Sequence, residues 1–105
     1  MNLKTELEKA EKTGKVALGV KSVKHAFLNG NPKLVLISKN CPIEIFDEFL
    51  YYGKLSNVPC IVLDKNSEEL GALCGKPFSV SSLCILDEGE SSILEIVKEH
   101  GKNKT

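Results

Sequence analysis

Four short runs dominated by aliphatic and β-branched residues punctuate this chain: residues 16–19 (VALG), 33–38 (KLVLIS), 59–63 (PCIVL) and 80–86 (VSSLCIL), with helical periodicity in every gap between them. That alternation admits few folds. Strands that are apolar at nearly every position must be covered on both faces, so helices are required above and below a single sheet. The order α-β-α-β-α-β-α-β-α predicts an α/β fold, a three-layer α/β/α sandwich around a four-stranded, mixed sheet. All of residues 1–105 fit one domain, a length that supports a real core but is too short for two domains.

Local signals place the helices. The first, over residues 3–12, sets Leu3, Leu7 and Ala10 on one face and stops at Thr13-Gly14. The second, over residues 20–28, turns Val20, Val23 and Phe27 inward and Lys21, Lys24 and His25 outward. It closes at Asn29-Gly30-Asn31-Pro32, where Gly and Asn tolerate the left-handed conformation and Pro cannot continue a helix. A third begins at Pro42 with an apolar stripe of Ile43, Phe46, Phe49 and Leu50, and Glu44, Asp47 and Glu48 stand near its positive end. Asn66-Ser67-Glu68-Glu69 reads as a capping box for a fourth that ends at Cys74-Gly75, and Ser92 with Glu95 repeats the signature for a fifth, before a frayed tail at 101–105. The last strand, with a Ser-Ser pair and a DEGES turn behind it, is expected at a sheet edge or antiparallel to its neighbours. Strand order is left open.

Charge is segregated along the chain although the total is zero. Residues 1–40 hold eight Lys against three Glu, whereas residues 41–105 hold six Lys against eleven acidic residues. Between Lys12 and Asn40 there are six lysines and no acid. Such asymmetry can steer an anionic partner, most often nucleic acid, although from charge alone a solvated lysine face is the simpler account. The chain has no Arg, so base reading by a planar guanidinium fork is excluded, and any nucleic-acid contact rests on Lys, amides, backbone and stacking. No apolar run approaches a membrane span and the first twelve residues are charged throughout, which predicts a cytoplasmic protein without a membrane partner.

Catalytic chemistry finds little support. Cys41, Cys60, Cys74 and Cys84 lack CxxC spacing and neighbouring His, and three lie in apolar surroundings, so they read as reduced, mostly buried thiols rather than zinc ligands. His25 and His100 have no nucleophile beside them, and neither a P-loop nor a GxGxxG fingerprint is present. No enzyme activity, cofactor or metal is expected. A thiol enzyme using Cys41 is a remote alternative.

Three strand-to-helix junctions have binding character. Gly19, followed by Val20, Lys21 and Ser22, allows close backbone approach at a helix start whose free N–H groups attract phosphate; alternatively it only turns the chain. Asn40, after Lys39, offers a donor and an acceptor to a base edge or, equally, caps the next helix. Phe78, in the loop Gly75-Lys76-Pro77-Phe78-Ser79-Val80, either stacks on an unpaired base or folds under the loop as a core residue.

Taken together, TGKVALGVKS, KLVLISKNCP, EFLYYGKLSNVP, SEELGALCGKPFSV and the DEGES turn resemble the L-thirty-e family of large-subunit ribosomal proteins of archaea and eukaryotes, across residues 3–95. The resemblance implies an α/β/α sandwich that binds kinked RNA, an asymmetric internal loop or kink-turn of ribosomal RNA. By position it implies a backbone-approach role for Gly19, a phosphate contact for Lys21, a loop-base contact for Asn40, packing of Phe78 on an extruded base, and an apolar contact for Val80; Ser22, Lys24, Lys39 and Lys76 are expected to belong to the same RNA-binding face. The Gly-Val-Lys-Ser sequence favours the ribosomal branch over relatives in modification particles that carry Gly-x-Asn-Glu, and the compact length looks archaeal. Ser79 stands where many members carry Arg. Implied partners are ribosomal RNA, other large-subunit proteins and the chain's own messenger RNA, with the free protein a monomer. The alternative from another class is a small α/β protein-interaction module that uses its lysine face and Phe78 as an anchor.

Overall fold

The computed structural model describes residues 3–30, 32–91, 93 and 101–103. The elements run α1 (Leu3–Thr13), β1 (Lys15–Leu18), α2 (Val20–Asn29), β2 (Leu34–Ile37), α3 (Ile43–Ser56), β3 (Cys60–Leu63), α4 (Ser67–Leu73), β4 (Ser82–Asp87) and β5 (Gly101–Asn103). Among the described residues the sheet has the order β1-β4-β2-β3-β5. β2 and β3 are parallel, whereas β4 lies antiparallel to both β1 and β2, so the sheet is mixed as expected.

Apolar strands with two covered faces produce two cores. On one face Leu34, Leu36, Ile61, Leu63, Leu83 and Ile85 pack with Leu7 and Ala10 of α1, Leu70 of α4 and Ile93. On the other, Val35, Ile37, Cys60 and Cys84 pack with Val23 and Phe27 of α2 and Phe49 of α3. Strict alternation along β2 therefore feeds both layers, and the sandwich has three. The Phe27 ring lies 6.3 Å from that of Phe49 and 5.5 Å from that of Tyr52, tying α2 to α3.

The capping box at α4 forms as the sequence indicates: Glu69 N–H donates to Asn66 Oδ1 at 2.8 Å and Asn66 N–H to Glu69 Oε1 at 3.0 Å. One expectation holds in one of its two forms and another is corrected. β4 is antiparallel but internal, flanked by β1 and β2 through Leu18↔Leu83 and Leu36↔Leu83, because both faces and both edges of this strand find partners. Gly101–Asn103, expected to fray, pairs with β3 through Ile61↔Asn103 and Leu63↔Gly101, using ladder groups that the outer side of β3 otherwise presents unpaired. The fifth helix falls outside the described residues except for Ile93, which is helical and buried.

At the sheet end where β1 starts, α1 and the DEGES turn interlock. Glu90 N–H donates to Thr13 Oγ1 at 2.9 Å, and a β-carbon on Gly14 would overlap the Asp87 carbonyl oxygen. The TGK and DEGES motifs are thus halves of one contact. Gly14→Ala is expected to destabilise the fold by about 1–3 kcal/mol, the scale of overpacking in a tight site, measured by chemical denaturation.

Candidate nucleic-acid interface

β1, β2 and β3 all end at the opposite edge of the sheet, where β4 begins, so the segment leading into β4 meets the ends of several strands. Gly19 N–H donates to Ser82 O at 2.8 Å and Ser38 N–H to Ser81 O at 2.9 Å. Val80 N–H donates to Ser67 O at 2.9 Å, and Ser67 N–H in turn to Asn40 Oδ1 at 2.8 Å. These bonds gather Gly19 to Ser22, Lys39 to Asn40 and the segment after Lys76 at one end of the molecule.

Gly19 caps α2 at φ 95°, ψ 160°, a conformation that favours glycine, with no side-chain hydrogen bond to the helix. A β-carbon there would meet nothing within 4 Å, so the backbone of another molecule has open access to it. The first amides of α2, beginning at Val20, have no carbonyl acceptor within the helix. Beside them Leu18, Gly19, Val20, Phe78, Ser79, Val80 and Ser81 line a cavity of about 310 Å³. Phe78 forms one wall with 58% of its surface exposed. Val80 differs from the apolar contact the resemblance implied: its side chain is 3% exposed and belongs to the core against α1 and α4. It borders the cavity as part of the wall.

Asn40 does not cap α3, whose N-cap is Pro42 without a side-chain bond. Its side chain turns instead to α4, where the Ser67 amide hydrogen fixes Oδ1 as the inward acceptor and Nδ2 reaches Ser67 Oγ at 3.4 Å. The remaining Nδ2 hydrogen is left as a donor on an exposed residue.

The lysines are distributed less simply than their spacing in the chain. Each crossing of the sheet moves the chain from one end to the other, so Lys15 and Lys33 open β1 and β2 at the DEGES end, where Lys33 pairs with Glu88 at 3.2 Å. Lys21, Lys24 and Lys39 follow the strand ends at the Gly19 side. Lys21 is exposed and has no hydrogen-bond or ion-pair partner among the described residues. Lys24 pairs with Glu48 at 3.3 Å and Lys39 with Asp64 at 3.6 Å, surface pairs worth roughly 0–1 kcal/mol and readily exchanged for phosphate. Lys76 lies 3.9 Å from Glu11 of α1, its charge directed to that helix.

Residues 1–95 match the ribosomal protein L7Ae/L30e/S12e/Gadd45 family. The chain belongs to that family. It is 42% identical to the large ribosomal subunit protein eL30 of Methanocaldococcus jannaschii over 94% of this chain and 90% of the relative. Identity is 41% with eL30 of Methanococcus vannielii, over 94% of both chains, and 40% with that of Methanothermobacter thermautotrophicus, over 92% of this chain and 99% of the relative. The resemblance read from the five motifs is borne out, and this member of the L7Ae/L30e/S12e/Gadd45 family is a non-enzymatic protein.

Two residues at this end of the family fold escaped the sequence reading. Ser67 is the hub between Asn40 and Val80, a role hidden because NSEE is fully explained by the capping box. Lys65, after β3, accepts the Lys39 N–H at its carbonyl at 2.8 Å and adds a cation beside Lys39. The thiols carry no activated nucleophile: burial raises the Cys41 pKa, and pushes Cys60 and Cys84 up to about 11 and Cys74 up to about 12. Unfolded thiols lose protons from near 9.0 while Cys60, Cys74 and Cys84 hold theirs to about 11 or above, so over that window the unfolded chain binds fewer protons and stability falls as pH rises. Urea denaturation at pH 7 and pH 10 is expected to show lower stability at the higher pH.

Proposed function

We propose that the chain is a structural constituent of the large ribosomal subunit, in the cytoplasm, that binds a kinked internal loop of ribosomal RNA. The observation that carries this is the meeting of two junctions around one cavity, with an unobstructed Gly19 on one side and an exposed phenyl ring on the other, and the third junction, at Asn40, tied to the same end of the sheet through Ser67. The eL30 names of the relatives support the ribosomal setting.

Each part has a physical task. Where a kink crowds two sugar-phosphate backbones together, Lys21 and the first amides of α2 offset phosphate repulsion, and the missing β-carbon of Gly19 lets one backbone approach. Ser22 and Lys24 extend that contact along α2, while Lys39 exchanges its exposed Asp64 partner for phosphate. Asn40, its amide orientation held by Ser67, donates from Nδ2 to an acceptor on an unpaired base. An extruded base enters the cavity and stacks on Phe78. Val80 forms the wall behind it, and Lys76 contributes only by exchanging its Glu11 partner for phosphate. A kinked segment in the chain's own messenger RNA would be bound by the same face, and neighbouring large-subunit proteins would meet the surfaces left free. The free chain is a monomer in this reading.

A fluorescence titration with a kink-turn RNA and a straight duplex of equal length tests the reading, which requires strong preference for the kinked form; equal affinity for the two would refute it. Phe78→Ala is expected to weaken binding by about 1–3 kcal/mol while leaving the thermal melt nearly unchanged. Lys21→Ala should lower affinity and reduce the salt slope by about 1, read from titrations at several salt concentrations.

A further inference from the structure

Phe78 stands out from the surface on a loop that wraps back over the last turn of α4, and two glycines make the wrap possible. Gly75 adopts φ 71° just past the helix, with its N–H donating to Ala72 O at 3.0 Å and Lys76 N–H donating to Gly71 O at 3.0 Å. This pair of bonds closes the helix with a left-handed glycine and sends the chain back along its side. Gly71, inside the helix, is where the returning chain lands: a β-carbon there would overlap the Phe78 carbonyl oxygen and lie 3.1 Å from the Phe78 carbonyl carbon. Glycine is a poor choice for the interior of a seven-residue helix on propensity alone, so close approach is the reason that accounts for it.

We propose that Gly71 and Gly75 are positioning residues for RNA binding: they seat the Phe78 backbone against α4 and thereby fix where the ring stands at the cavity. The proposal rests on the RNA-binding reading above. Neither glycine touches RNA in it; both act through Phe78. The far side of the loop is held independently, by Val80 N–H on Ser67 O, so a shift at Gly71 moves the ring relative to a wall that stays in place.

A double-variant cycle on the full chain tests this. Affinity for a kink-turn RNA is titrated for the parent, Phe78→Ala, Gly71→Ala and the double variant, with a thermal melt of each. Gly71→Ala is expected to weaken binding about tenfold in the parent, the lower range of a lost base stack, and to change nothing further once Phe78 is Ala. The fall in melting temperature should be the same in both backgrounds. A merely structural role would instead lower affinity equally in both backgrounds, which overturns the proposal, as does a folded Gly71→Ala chain that binds like the parent. Parent-like binding by Phe78→Ala would remove the ring from the site, a failure of the underlying reading seen in its own arm. If Gly71→Ala does not fold, Gly75→Ala carries the same cycle with the same outcomes, because a β-carbon there meets no atom within 4 Å and only strains the positive φ.

Discussion

Every element of the candidate interface is fastened to the few residues that lead into β4. Ser81 and Ser82 accept backbone hydrogen bonds from Ser38 and Gly19, and Val80 donates to Ser67. The strand ends therefore cannot move apart without breaking a ladder that also holds the two cores in register. Rigid backbone carries the site, and the exposed groups on it (Gly19, Lys21, Asn40 and Phe78) are placed by neighbours that are themselves buried or paired. Holding recognition groups on strand ends gives a surface whose shape is set before any partner arrives, which suits the reading of a bent nucleic acid by form rather than by base sequence.

Much of the fold was legible because it rests on local chemistry. Gly14, Gly30 and the Asn66–Glu69 box ended or began helices where their physical constraints required it, and the apolar runs gave the strands to within a residue or two. The place of β4 was not legible. Its Ser-Ser start looked like an edge, yet Ser82 is fully buried, since pairing with β1 and β2 on either side is decided by contacts far away in the chain. The terminal strand was missed for a related reason: nothing in GKN signals that the side of β3 is free to accept it.

The candidate interface divides in the same way. Gly19 announced itself because few residues other than glycine adopt its dihedral angles, and Phe78 because its loop offered few apolar neighbours. Asn40 was ambiguous between two roles that both use a short amide, and only the presence of Ser67 across the fold decides its orientation. Gly71 gave no signal, because its neighbour is a main-chain carbonyl that any residue would supply. The lysine excess misled in part: a linear run alternates between the two ends of the sheet, so a third dimension halves what one dimension displays.

The insertion of β4 between β1 and β2 also bears on synthesis. Its partners Lys15–Leu18 and Leu34–Ile37 emerge from the translating machinery long before it, and must wait with their inner ladder groups unmated. An incomplete nascent chain has neither the floor beneath Gly19 nor the wall bearing Phe78, so the candidate interface is assembled all at once, and only after Ser82 and the residues behind it have left the tunnel.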